Sequence, residues 1–219
     1  KVSTLLNSKK RTKLNCEYHF GISKLNNASL LKHFFPEDLP EDWRFSYYSN
    51  EFDLLLIHLS DLNLSALLIQ QENKLTGDII IEQLSELIDD IDNSVFSIFD
   101  CSTLSQVIQQ QIFESRIATE NNCHFINADE WSENQIISHS IQIEWCNVLV
   151  KRDIEQMPGR NLFCAVKSEK KIEPAELKTL IEHIRDYALK KEGRMVSIVF
   201  SSNYALENCR NAILLESMM

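Results

Sequence analysis

The sequence predicts a mixed α/β fold of about six to eight mostly parallel strands, and three observations carry that prediction. Strand-like and helix-like runs alternate from Cys16 onward. Leu54-Leu55-Leu56-Ile57 is a continuous apolar run, which suits a parallel strand buried on both faces. Ile80, Leu84, Leu87 and Ile88 fall at i, i+4, i+7 and i+8, the stripe of an amphipathic helix lying on such a sheet. A barrel and an open doubly wound sheet both fit this alternation.

The elements follow in order. Cys16 to Phe20 alternates weakly and ends at Gly21, as a first strand. Pro36 and Pro40 mark a loop. Asp38 or Glu41 then opens a helix through Trp43, Phe45, Tyr48 and Phe52. Asp53 to His58 is the second strand, and Ala66 to Gln70 a weaker one. Ile79 to Ile91 is a helix, followed by a strand over Val95 to Phe99 that ends at Asp100. Ser102 or Thr103 can cap the next helix, which runs through Leu104, Val107, Ile108, Ile112 and Ile117. Cys123 to Ile126 is a strand ending near Asp129. Ile141 to Val150 reads as one bent strand or as two, and Leu162 to Val166 as another. Pro174 to Lys191 is the clearest helix, because proline suits the first turn and Leu177, Leu180, Ile181, Ile184 and Tyr187 line one face. Gly193 is expected to stop it. Met195 to Phe200 is a strand and Tyr204 to Leu215 a closing helix.

Length and composition bound the function. The 219 residues fit one domain, 1–219, since α/β barrels reach roughly 200–250 residues. The net charge of −10 repels phosphate backbones, so nucleic acid is not expected as a partner. No apolar run approaches the roughly 20 residues of a membrane span, and Lys1 to Lys13 lacks the apolar stretch of a signal peptide. None of the six cysteines forms a C-x-x-C pair. Several sit in apolar runs, as Cys164 does, and read as reduced core thiols of a cytoplasmic protein. Only four glycines occur, without G-x-G-x-x-G or a Walker loop, so no cofactor is predicted. His19, His33, His139 and His183 show no metal-ligand spacing, so no metal is predicted either. The three tryptophans, Trp43, Trp131 and Trp145, are expected to pack.

Several short motifs resemble the YecE-like family, also called domain of unknown function 72. Gly21-Ile22-Ser23 stands where that family has Gly-Thr-Ser-Gly-Trp, and Phe34-Phe35-Pro36 where it has Phe-Tyr-Pro. Leu39-Pro40, Tyr47-Tyr48 and Phe52 are similar to its following helix. Val199-Phe200-Ser201-Ser202-Asn203 resembles its aromatic-Asn-Asn-Asp strand end, and Asn211-Ala212 its final helix. The resemblance implies a TIM-barrel-like fold with about seven mostly parallel strands. The chain departs from the family at its polar positions. Leu55-Leu56-Ile57-His58 replaces Val-Glu-Ile-Asn, and Ser97-Ile98-Phe99-Asp100 replaces a strand bearing Glu and Arg. Asn73-Lys74-Leu75-Thr76-Gly77 keeps a Lys-Thr-His element without its histidine. Leu149-Val150-Lys151-Arg152-Asp153 stands for Tyr-Val-Arg-Leu-His-Gly. The chain between His58 and Val95 is too short for two strand–helix units, so the barrel is expected to be incomplete or distorted.

A parallel barrel carries its active face at the C-terminal strand ends. Asp100, Asp129 and His58 are the acid–base candidates there. Ser23, Lys151, Arg152, Ser201 and Asn203 are candidates for holding a small anionic ligand. Each has a plainer reading: Asp100 and Asp129 as helix caps or turn residues, His58 as a satisfied rim residue, Lys151-Arg152 as a solvated turn. No G-x-S-x-G elbow presents a serine nucleophile. The leading expectation is a divergent YecE-like protein that binds a small anion at the strand ends or serves as a non-catalytic interaction domain. The rival is a hydrolase or isomerase with Asp100 or Asp129 as base. A protein partner or a second copy could cover an edge left by a missing barrel unit.

Overall fold

The computed structural model describes residues 16–23, 28–62, 74–91, 95–115, 117, 123–126, 131–138, 141–147 and 160–219. They form a mixed α/β structure with one mostly parallel, curled sheet. The strands are β1 (Glu17–Ser23), β2 (Leu54–His58), β3 (Phe96–Asp100), β4 (Cys123–Ile126), β5 (Trp131–Ser138), β6 (Ile141–Asn147), β7 (Arg160–Ser168) and β8 (Gly193–Ser201). The helices are α1 (Ala28–His33), α2 (Arg44–Tyr48), α3 (Lys74–Asp90), α4 (Gln106–Glu114), α5 (Pro174–Lys190) and α6 (Ala205–Met218).

The strand order is β4-β3-β2-β1-β8-β7-β6-β5. β1 is central and pairs in parallel with β2 and β8. β3, β4 and β7 continue the parallel ladder outward. β6 departs from the expectation, being antiparallel to both β5 and β7. The reason lies in chain length. Residues 139–140 alone join β5 to β6, whereas a parallel crossover needs roughly a dozen residues. β5 itself was not foreseen, because Trp131 to Ser138 is polar at most positions and lacks an apolar run.

Other boundaries move for local reasons. α1 forms ahead of Pro36, where the sequence marks only a loop. α3 begins at Lys74, five residues before Ile79, so Lys74 to Gly77 forms its first turn. The N-cap position of α4 is Ser105, whose side chain makes no capping hydrogen bond, not Ser102 or Thr103. α5 ends at Lys190 with Lys191 as its C-cap, and the left-handed residue that follows is Glu192, with φ 56°, rather than Gly193. Trp43 is exposed rather than packed, whereas Trp145 is buried and stacks on Tyr187 of α5 with ring centroids 4.0 Å apart.

Side chains alternate between two faces. Phe20 and Ile22 of β1, Leu55 and Ile57 of β2 and Phe99 of β3 join the large core beneath the helices. Leu54, Leu56, Ile98, Ile126, Phe163, Ala165 and Val199 form a second apolar cluster on the opposite, concave face. This second cluster spans β1 at Gly21, which stands opposite Val199 on one side and Leu54 on the other. There the sheet bends sharply. Residues of β2 and β8 come within 8 Å of each other although β1 lies between them. In a flat sheet two spacings of about 4.8 Å would separate them by about 9.6 Å. A Cβ built on Gly21 would stand 1.7 Å from the Leu54 carbonyl oxygen, so only glycine fits this bend.

Candidate functional site

The last residues of three consecutive parallel strands meet on the concave face. β1 ends at Ser23, β2 at His58 and β3 at Asp100. Each lies an even number of positions beyond an inward residue (Gly21, Leu56 and Ile98), so strand periodicity aims all three side chains to the same side. The apolar cluster forms their floor.

Ser23 Oγ lies 3.1 Å from His58 Nε2, and His58 Nδ1 lies 2.8 Å from Asp100 Oδ2. Asp100 Oδ1 accepts the Ser102 amide at 2.9 Å, which locks the carboxylate in the turn ahead of α4. Asp100 thus makes the turn contact of its plainer reading and touches His58 as well. Ser23 and Asp100 are buried, while the His58 side chain keeps 26% of its surface exposed.

The electrostatics assign the protons. Burial pushes the Asp100 carboxyl up, but hydrogen bonds from His58 and from Ser102 outweigh it and hold it below its ordinary value. An ionised carboxylate only accepts hydrogen bonds, so His58 Nδ1 donates to it. In the neutral imidazole, Nε2 is then the lone-pair nitrogen and accepts the Ser23 hydroxyl. A hydroxyl, an imidazole and a carboxylate stand in a hydrogen-bonded line of the kind that acyl transfer can use, in the chain order Ser, His, Asp. Cys101, the neighbouring thiol, is no rival nucleophile. Burial and the adjacent Asp100 charge push it up to about 12, and thiols react as thiolates.

Ser201 ends β8 one position beyond the Ile22–Phe200 pair, so it shares the Ser23 layer. Lys167 of β7 is in register with Ser201, and Gln142 of β6 with Lys167. The rim is therefore polar from β6 round to β3. Asn203 sits in the exposed turn after β8. Asp129, Lys151 and Arg152 lie outside the described residues. Among the described residues no group of three or more His, Cys, Asp and Glu side chains could hold a metal ion, and no helix is long and apolar enough to cross a membrane.

Two features escaped the sequence reading. His19 Nδ1 bonds Asp53 Oδ2 at 2.7 Å at the opposite end of β1, where Asp53 Oδ1 also accepts the Phe20 amide at 3.1 Å. Tyr48 places its hydroxyl between β1 and β2, accepting the Ile22 amide at 2.8 Å and donating to the Leu54 carbonyl at 2.7 Å. Asp53 just ahead of the β2 run, and a tyrosine in an otherwise apolar stripe, were the only signals available.

Comparison with models of known protein families, with curated proteins and with solved structures returns no match, so the geometry of these side chains is the ground on which function is read.

Proposed function

We propose that this chain is a hydrolase of the acyl-transfer type, with Ser23 as nucleophile, His58 as general base and Asp100 as the carboxylate that orients it. The observation that carries this reading is the continuous Ser23–His58–Asp100 hydrogen-bond relay at the ends of β1, β2 and β3. Ser23 Oγ attacks a carbonyl carbon while His58 Nε2 takes the hydroxyl proton. Asp100 stabilises the resulting imidazolium, which then protonates the leaving group as the tetrahedral intermediate collapses. Water repeats the cycle on the acyl-serine and frees the acid. Asp100 is then not a base itself. It holds the base.

The scaffold reading that goes with this is a divergent, opened barrel of the YecE-like kind. Its support is the strand order, in which β1 to β4 run one way round from β1 and β8 to β5 the other. A second reading, a site for a small anion, is favoured by Lys167 and Ser201 in the Ser23 layer.

A fluorophosphonate probe decides between them. The hydrolase reading expects stable phosphonylation at Ser23, located by peptide mass spectrometry and absent in Ser23→Ala. His58→Ala should slow labelling by roughly 10³-fold or more. No labelling of the folded wild type, together with a thermal shift on adding phosphate or a dicarboxylate that Lys167→Ala removes, would instead establish the anion site.

A further inference from the structure

We propose that Tyr48 is a positioning residue for the Ser23–His58 contact, acting as a hydroxyl spacer built into the seam between β1 and β2. Its catalytic consequence rests on the hydrolase reading above, whereas its geometric role does not.

Three observations converge on it. The Ser23–His58 contact is diagonal, because the register sets Ser23 opposite Leu56 and not opposite His58. A diagonal contact depends on both the separation and the stagger of its strands, so it needs something to fix them. Tyr48 touches both strands on the N-terminal side of the two residues. Its hydroxyl takes the amide of Ile22, the residue before Ser23, and gives its proton to Leu54, four residues before His58. These are the amide and carbonyl types that a parallel ladder would otherwise pair directly.

The ring cannot drift. Tyr48 is buried, and its ring packs against Phe52 at 4.9 Å and Phe34 at 6.2 Å between centroids. The segment that carries it is tied to α6, since Arg210 grips Glu51 with two hydrogen bonds and its guanidinium lies 5.7 Å from the Phe34 ring centre. On the concave side Gly21 lets the Leu54 carbonyl approach where any Cβ would block it. Tyr48 on one face and the bare Gly21 on the other set the gap across which Ser23 must reach His58. Desolvation raises the phenol well above its ordinary value, so it stays protonated and keeps its donor role.

The test compares wild type with Tyr48→Phe by two readouts. One is the ¹⁵N shift pattern of the His58 ring, which reports whether Nε2 accepts a hydrogen bond. The other is the fluorophosphonate labelling rate, measured on folded protein well below the melting transition. The expected result is an Nε2 signal moved toward that of an unbonded imidazole nitrogen, as Ser23→Ala would also give, and labelling slowed at least tenfold. A purely structural role would lower the melting midpoint and leave both unchanged, and that outcome overturns the proposal. If Tyr48→Phe does not fold, 3-fluorotyrosine at position 48 keeps the hydroxyl while weakening it as an acceptor. The His58 nitrogen signal should then move, and an unmoved signal overturns the proposal. If the wild type is never labelled, the hydrolase reading fails, and the nitrogen spectra still decide the spacer.

Discussion

Asp100 is held by two donors, the His58 ring and the Ser102 amide, and this makes its protonation matter to the fold as well as to the site. Its folded carboxyl titrates below the unfolded value of about 3.9, so its stabilisation is present above that value and is lost as pH falls through the lower folded one. Asp100→Asn should cost about 2 kcal/mol at pH 7 and flatten the loss of stability on acidification below about pH 4, measured as urea midpoints against pH. Gly21 belongs to the same scale. Gly21→Ala drives a methyl into the Leu54 carbonyl, backbone that cannot swing aside, and should destabilise by about 3 kcal/mol or more in a denaturant titration. Of the site residues, Ser23, His58 and Asp100 were legible in the sequence as strand ends. Their partnership was not, since the register that brings three distant strand ends into one layer is a property of pairing, not of any local pattern. The rival hydrolase expectation names Asp100 or Asp129 as base, whereas the proposed relay gives that role to His58, itself one of the acid–base candidates.

At the scale of elements, the best-read parts were those with strong periodicity. Leu54 to Ile57 and the stripe on Pro174 to Lys190 are found where their patterns place them. The misread parts were those where local chemistry is silent. α5 stops without a glycine in the left-handed position, and Glu192 takes φ 56° at a cost of roughly 1 kcal/mol. Glu192→Gly should therefore raise stability by about 0.5 kcal/mol, seen as a small upward shift in melting midpoint. The contact between β6 and α5 rests on Trp145 against Tyr187. Trp145→Ala should cost about 3–5 kcal/mol, because a fully buried indole leaves a cavity that neighbours fill only in part. The antiparallel turn of β6 was hidden for a similar reason. Apolar content marks Ile141 onward as a strand but carries no direction, and only the short link at 139–140 encodes it.

For the molecule as a whole, the mixed α/β class and the mostly parallel sheet were legible, and the eight strands among the described residues fall within the expected six to eight, while the hairpin β5–β6 was not legible. Apolar alternation reveals that a strand has a buried face but not which strands lie beside it, and the order around β1 emerges only from long-range pairing. That order has a consequence for how this protein can change. Ser23, His58 and Asp100 are the terminal residues of three neighbouring strands, and side chains along a strand switch faces at every step. Deleting a single residue ahead of Ile57 in β2 would turn Ile57 onto the concave face, bring Leu59 to the rim and send the imidazole among the helices, with the sheet otherwise able to form. The Ser23–His58–Asp100 relay is thus written in the parity of three strands. Insertions in pairs could preserve it where a lone insertion would silence it.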